Sequence, residues 1–232
     1  MKKITLTLLG LVAFSTSALA QQEVKFGPKA GVNFAKINGE IKEDGETIKL
    51  DKGQVGFHVG AFAEIKFNDK FAIQPELLYS VQGGKAEQSG SETIMGQTFA
   101  YEAEAKWNLH YINVPIMAKY YVIPSLAIEA GPYVGFNIKS EVKSEGTATM
   151  AGVTQSESFT EDMKDGTNSI DFGVGVGASF NLESGFFVGA RYNLGLAKIS
   201  KEYTETFEGV EYKSPAYDIK NGVIQVSVGY KF

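Results

Sequence analysis

Apolar and polar residues alternate along most of this 232-residue chain. Successive side chains on a strand point to opposite faces, so unbroken alternation marks a strand with one greasy side and one polar side. The last twelve residues show it without a slip. Ile224, Val226, Val228, Tyr230 and Phe232 share one face, and Val223, Gln225, Ser227, Gly229 and Lys231 share the other. Val55, Phe57, Val59, Ala61, Ala63, Ile65 and Phe67 likewise oppose Gly56, His58, Gly60, Phe62, Glu64 and Lys66. Further along, Leu126, Ile128, Ala130, Pro132, Val134, Phe136 and Ile138 oppose Glu129, Gly131, Tyr133, Gly135, Asn137 and Lys139. Ile170 to Phe180 sets its even-numbered apolar residues against Asp171, Gly173, Gly175, Gly177 and Ser179. No segment carries a helical period. The pattern predicts about eight strands, over Val24–Ile37, Gly53–Phe67, Phe71–Gly83, Ala105–Val122, Leu126–Val142, Ser169–Asn181, Gly185–Ile199 and Asn221–Phe232. Soluble strands average about 5–6 residues. These are long enough for tilted membrane strands, which need at least about 9–11.

The connections alternate in length. Asn68-Asp69-Lys70, Ile123-Pro124-Ser125 and Leu182-Glu183-Ser184 are tight turns, whereas 38–52, 84–104, 143–168 and 200–220 are long polar stretches. Short periplasmic turns with long extracellular loops are the plan of an outer-membrane barrel. An even strand count then leaves both termini in the periplasm.

Composition narrows the field. Met1 to Ala20 reads as an export signal, with Lys2 and Lys3, an apolar stretch from Ile4 to Phe14, and Ala18-Leu19-Ala20 before the cut. Without it, 20 basic residues face 27 acidic ones, a formal charge of −7. That balance argues against nucleic acid, which demands basic patches. There is no Cys, so neither disulfides nor thiol chemistry is available. No apolar run after residue 20 reaches the length of a membrane helix, so a spanning chain must form a closed barrel. The expected fold is all-β: a closed antiparallel up-and-down transmembrane barrel of about eight strands over 21–232.

Parity alone does not say which face is inside. A lipocalin-like periplasmic carrier would bury the aliphatic rows, whereas a membrane barrel turns them to lipid. The glycine-rich, charged opposite rows suit a narrow interior and favour the membrane. Inward parity then collects Lys29, Glu64, Glu76, Lys119, Glu129 and Arg191, all toward the periplasmic half, as a lumenal ion-pair network. A barrel of this size is barely filled by side chains, and buried charges must be paired; a narrow ion path is the other reading. Phe67, Phe71, Tyr120, Phe180, Phe186, Tyr230 and Phe232 fall near the turns as an aromatic girdle, with Trp107 and Phe136 on the loop side. Val226, Val228, Tyr230 and Phe232 form the closing-strand signal for barrel assembly machinery. Pro28, Pro75, Pro115 and Pro132 interrupt strands and predict bulges or broken ladders.

Candidate chemistry is sparse. His58 is predicted inward in the upper half and His110 outward near the outer interface, on opposite sides of the wall. Neither has a serine and carboxylate at a spacing that marks a hydrolase, so no catalytic residue is assigned. Two histidines without cysteine make no zinc set, and the acidic run Glu43-Asp44-Gly45-Glu46 lacks EF-hand spacing. No metal or other cofactor is expected. Gly173-x-Gly175-x-Gly177 lies inside a strand with no helix after it, which speaks for a glycine-lined lumen rather than a phosphate loop.

Several segments resemble the PorT-like outer-membrane β-barrel family of Bacteroidetes, also labelled porin-family proteins. Ile73-Gln74-Pro75-Glu76-Leu77-Leu78-Tyr79-Ser80 is similar to that family's third-strand signature. Tyr111-Ile112-Asn113-Val114-Pro115-Ile116-Met117-Ala118-Lys119-Tyr120 is similar to its second proline-containing strand, with Asn113 in place of a common Glu. Gly131-Pro132-Tyr133-Val134-Gly135, Asp171-Phe172-Gly173, Arg191 to Leu196 and the closing strand follow in order. The resemblance implies fold and location, with no shared catalytic residues; one branch of the family serves a secretion machine. The expected partners are outer-membrane lipid and the assembly machinery. The expected state is a monomer with a structural or loop-mediated surface-binding role, not a wide pore. A secretion component is the alternative within the membrane class.

Overall fold

The computed structural model describes residues 23–43, 46–49, 52–94, 97–207 and 210–232. The segment 1–20, read as an export signal, and Asp44-Gly45 of the acidic run lie outside them. Eight strands form the wall: β1 (Glu23–Asn38), β2 (Gln54–Lys66), β3 (Phe71–Ile94), β4 (Gln97–Ile123), β5 (Leu126–Met150), β6 (Ile170–Asn181), β7 (Phe186–Gly195) and β8 (Lys220–Tyr230). Each pairs antiparallel with its chain neighbour. The ring closes between β8 and β1, from Lys29↔Gly229 to Asn38↔Lys220. It is a closed up-and-down barrel of eight strands.

The aliphatic rows face out. Val226 and Val228 on β8, Val55 and Phe57 on β2, and Phe172 and Val176 on β6 are exposed, while Gln225, His58 and Asp171 next to them in sequence are buried. A water-soluble carrier would need the opposite arrangement, with the aliphatic rows around a cavity.

Three of the four prolines break a ladder without adding a residue, whereas Pro28 pairs opposite Ala61 in an unbroken β1–β2 ladder. The β2–β3 ladder stops at Phe62↔Glu76 and resumes at Ile65↔Ile73 in the same register, skipping the rung of Pro75. The β3–β4 ladder skips from Pro75↔Ile116 to Leu78↔Asn113, past Pro115. The β4–β5 ladder skips from Pro115↔Tyr133 to Ala118↔Ala130, past Pro132. Proline has no N–H to give, yet the unchanged register keeps every side chain on its face. None of these three prolines makes a bulge. The register shifts lie elsewhere: Val122 is left over beside the turn, between Tyr121↔Ala127 and Ile123↔Leu126, and Ile138 is left over at the bulge where His110↔Lys139 is followed by Tyr111↔Asn137. Beyond it the parity of β5 reverses. Lys139, placed inward by alternation, is therefore exposed, and Val142 turns toward the axis.

Two of the long polar stretches are strand rather than loop. β3, β4 and β5 reach 24, 27 and 25 residues, well beyond what a membrane crossing requires. Their far ends pair onward to Ile94↔Gln97 and Phe99↔Met150. Strand Val153–Asp162 then joins β5 through Met150↔Val153. Ala151 and Gly152, both at positive φ, close that hairpin; two left-handed residues match the twist of the paired strands. The result is a four-stranded sheet projecting past the barrel. The other two long stretches hold small hairpins, Glu40–Glu43 with Glu46–Lys49 and Tyr203–Phe207 with Val210–Ser214. β7 stops at Gly195, short of the expected Ile199.

Candidate functional site

Alternation on six strands brings the six charged positions to the turn-side half of the lumen. Arg191 spans two carboxylates, donating from Nη2 and Nη1 to Glu76 at 2.7 and 3.0 Å and from Nε to Glu129 at 2.7 Å. Lys29 reaches Glu76 at 3.1 Å. Lys119 lies 3.0 Å from Glu64 and 3.9 Å from Glu129. All six are buried and form one connected set. Three further residues complete it. Gln74 donates to Glu76 at 2.7 Å and accepts from Lys119 at 3.0 Å. Tyr121 and Lys231 donate to Glu64 at 2.6 and 2.8 Å. Gln74 shares the parity of Glu76, Tyr121 that of Lys119, and Lys231 that of Gln225, so alternation alone could have found them.

The glycines of β6 make room for this set. A Cβ on Gly177 would stand 2.4 Å from the Ala190 carbonyl oxygen, and one on Gly175 would stand 3.2 Å from Arg191 Cδ. The stripe read as glycine-lined lumen is where the arginine lies across the neighbouring strand. Within this set lies a cavity of about 10 Å³ bordered by Arg191, Glu129, Ser179 and Ser227. That is roughly the volume one water requires.

Two further polar clusters stand above. His58 Nδ1 lies 2.8 Å from Asn33 Oδ1, and its Nε2 lies 2.9 Å from Ser227 Oγ. Asn33 donates in turn to Ser80 at 2.9 Å and to the carbonyls of Phe57 and Val81. Hydroxyl, imidazole and amide in this order have the spacing of a nucleophile, base and orienting group. All three are buried at mid-wall, and Ser227 borders the one-water space. Nearer the loop side, Asp171 accepts from Tyr133 at 3.1 Å and from Asn221 at 3.0 Å.

An apolar lid covers these clusters. Ile37, Trp107, Leu109, Tyr111, Ile199 and Ile219 pack together at the loop-side mouth, with Ile41, Ala86, Val142 and Tyr217 against them. Trp107, expected in the outer girdle, is thus an inward residue. It shares parity with Leu109 and Tyr111, and a wide ring at the mouth fills the space that the charged rows fill below. His110 does point outward. Its Nδ1 accepts or donates to Tyr79 OH at 2.6 Å, and its Nε2 lies 4.0 Å from Glu141.

The seven aromatics placed near the turns also face outward. Phe71 contacts Tyr120 at 5.1 Å between ring centres, Phe186 contacts Tyr230 at 4.9 Å, and Tyr230 contacts Phe232 at 4.9 Å. Phe67 and Phe180 are exposed beside their turns. Val226 and Val228 continue the outward row of β8 above Tyr230 and Phe232.

A closed barrel, greasy outside and charged inside, is what a bilayer demands of strands. A family model described as an outer membrane protein beta-barrel domain matches residues 19–201. The chain belongs to that family. It is an outer-membrane β-barrel protein. No curated protein matches the chain. Among solved structures, Ail, the attachment invasion locus protein of Yersinia pestis, is 18% identical, with 90% of this chain and 99% of that chain covered at a TM-score of 0.40. Neisserial surface protein A is 14% identical, with the same shares covered and a TM-score of 0.35. Outer membrane protein AlkL is 12% identical over 89% of this chain and 90% of that one, with a TM-score of 0.36.

Proposed function

We propose that this protein is a sealed barrel, its lumen plugged by the Arg191-centred ion pairs and capped by the Trp107 cluster, that works at the cell surface through its projecting strands. The filled lumen carries the reading. Between the apolar lid and the charged lower half, the cavity recorded within the charged set takes about one water, and hydrated ions need far more. The Ser227–His58–Asn33 contact then serves packing rather than turnover, because a substrate has no room beside it.

The orientation follows the outer-membrane plan. The tight turns and both termini lie in the periplasm, the long hairpins outside, and the outward aromatics near the turns sit at the inner interface as a girdle. The closing-strand residues Val226, Val228, Tyr230 and Phe232 present the assembly machinery with a greasy edge before β8 meets β1. The chain works as a monomer: the wall is closed, so no edge is left within the membrane for a second copy.

Planar-bilayer recording tests the plug. The purified protein inserted in a bilayer is expected to give no stepwise conductance in molar potassium chloride under applied voltage. Regular, reproducible steps that scale with protein dose would overturn it.

A further inference from the structure

The projecting sheet ends on an open edge. Strand Val153–Asp162 pairs with β5 on one side and, among the described residues, with nothing on the other. All ten of its residues are exposed, over about 33 Å of strand. Natural edge strands are usually blunted by charged side chains, lysine above all, or by proline, bulges or shortness. This one, VTQSESFTED, has no lysine and no proline, and its ladder with β5 runs through ten rungs without a bulge. Val153 and Phe159 stand on one face, 65% and 62% exposed.

Its charge is one-sided. Residues 144–163 contain Glu145, Glu157, Glu161 and Asp162 and neither lysine nor arginine. Inside the sheet Glu104 pairs with Lys85 at 3.1 Å and Lys106 at 2.5 Å, and Glu145 with Lys143 at 2.5 Å. The hydrogen bond from Lys143 holds the Glu145 carboxyl below the usual carboxylate range. Glu157 and Glu161, on the edge strand, have no ion-pair partner among the described residues. At the barrel end of the edge, Glu161, Asp162 and Asp165 line a cavity of about 140 Å³ together with Tyr203. Carboxylates beside an aromatic ring suit a lysine or arginine head.

We propose that the Val153–Asp162 edge binds an extended, lysine- or arginine-bearing polypeptide segment by strand addition, with its basic side chains against Glu157 and Glu161 and into the acidic cavity. This rests on the reading that the hairpin end of the barrel faces outside. Backbone pairing supplies the affinity and the alternating side chains supply selectivity. A second copy of this chain is the poorer fit. Both edges would carry the same carboxylates, and copies upright in one membrane would meet with their strands parallel, the weaker pairing.

The probe is a labelled nine-residue peptide alternating lysine with valine or threonine, titrated by fluorescence anisotropy onto the full chain in zwitterionic nanodiscs, with empty nanodiscs as the blank. Saturable binding is expected, weakened at least about tenfold when two valines become prolines, which cannot pair, and weakened similarly in the Glu157→Lys/Glu161→Lys variant. That variant should gain binding of a glutamate-alternating peptide, and an unchanged heat-shifted gel band would show that it folds. Equal binding of the proline peptide would overturn strand addition. Preference of the wild type for the glutamate peptide would overturn the partner's charge while leaving a surface-binding role intact. No binding of any strand peptide, or a doubled mass by sedimentation without peptide, would overturn the proposal outright.

Discussion

Glu76→Gln should lose about 3–5 kcal/mol of stability, the usual result of breaking a buried ion pair from one side. Glu76 accepts from Lys29, from two nitrogens of Arg191 and from Gln74. Neutralised, it leaves Arg191 with Glu129 alone and Lys29 with no carboxylate. The connected set holds four cations, Lys29, Lys119, Arg191 and Lys231, against three carboxylates, Glu64, Glu76 and Glu129, so the loss of any one carboxylate is uncompensated. The measurement is the urea midpoint of the folded species in lipid vesicles, read as the compact gel band before heating. A companion variant decides the cause. Lys29→Met with Glu76→Gln removes the stranded cation as well, so it should be more stable than Glu76→Gln alone. If the double variant is no better, charge pairing is not what the site contributes.

The second large effect is on the outer face. Val226 sits mid-strand on β8, opposite Val32 on one side and Ala190 on the other. Val226→Arg should cost about 2–4 kcal/mol, as arginine does at the bilayer midplane, whereas Leu182→Arg, in a turn, should cost about 0–1. Both are measured by the same urea titration. Equal costs at the two positions would contradict the depth assigned to β8.

Period-two alternation made most of the wall legible. It works because a register once set keeps every side chain on its face, and the prolines, three of which drop rungs without shifting them, left it intact. Lys29, Glu64, Glu76, Lys119, Glu129 and Arg191 came to one place for that reason. It failed where a residue was inserted: beyond Ile138 the pattern put Lys139 inside, and the structure puts Val142 there instead. Trp107 had the inward parity of Leu109 and Tyr111, but an aromatic near a strand end also satisfies the expectation of a girdle, and parity was the better guide. The projecting sheet was hidden for another reason. In 84–104 and 143–162 neither face is consistently apolar, so there is no burial pattern to read, and the pairing rests on backbone hydrogen bonds that composition does not display. Ile199 and Ile219 gave no signal at all, since they meet the lid through a connection whose path the sequence does not specify.

Site-directed nitroxide labelling of β8 tests the orientation of the wall directly. The chain has no cysteine, so a single Cys at each position from Val223 to Gly229 carries the only label. Collision with oxygen, which concentrates in lipid, should rise at residues 224, 226 and 228 and fall at 223, 225, 227 and 229. The reverse phase, or no alternation at all, would contradict a barrel that turns its aliphatic rows to the acyl chains.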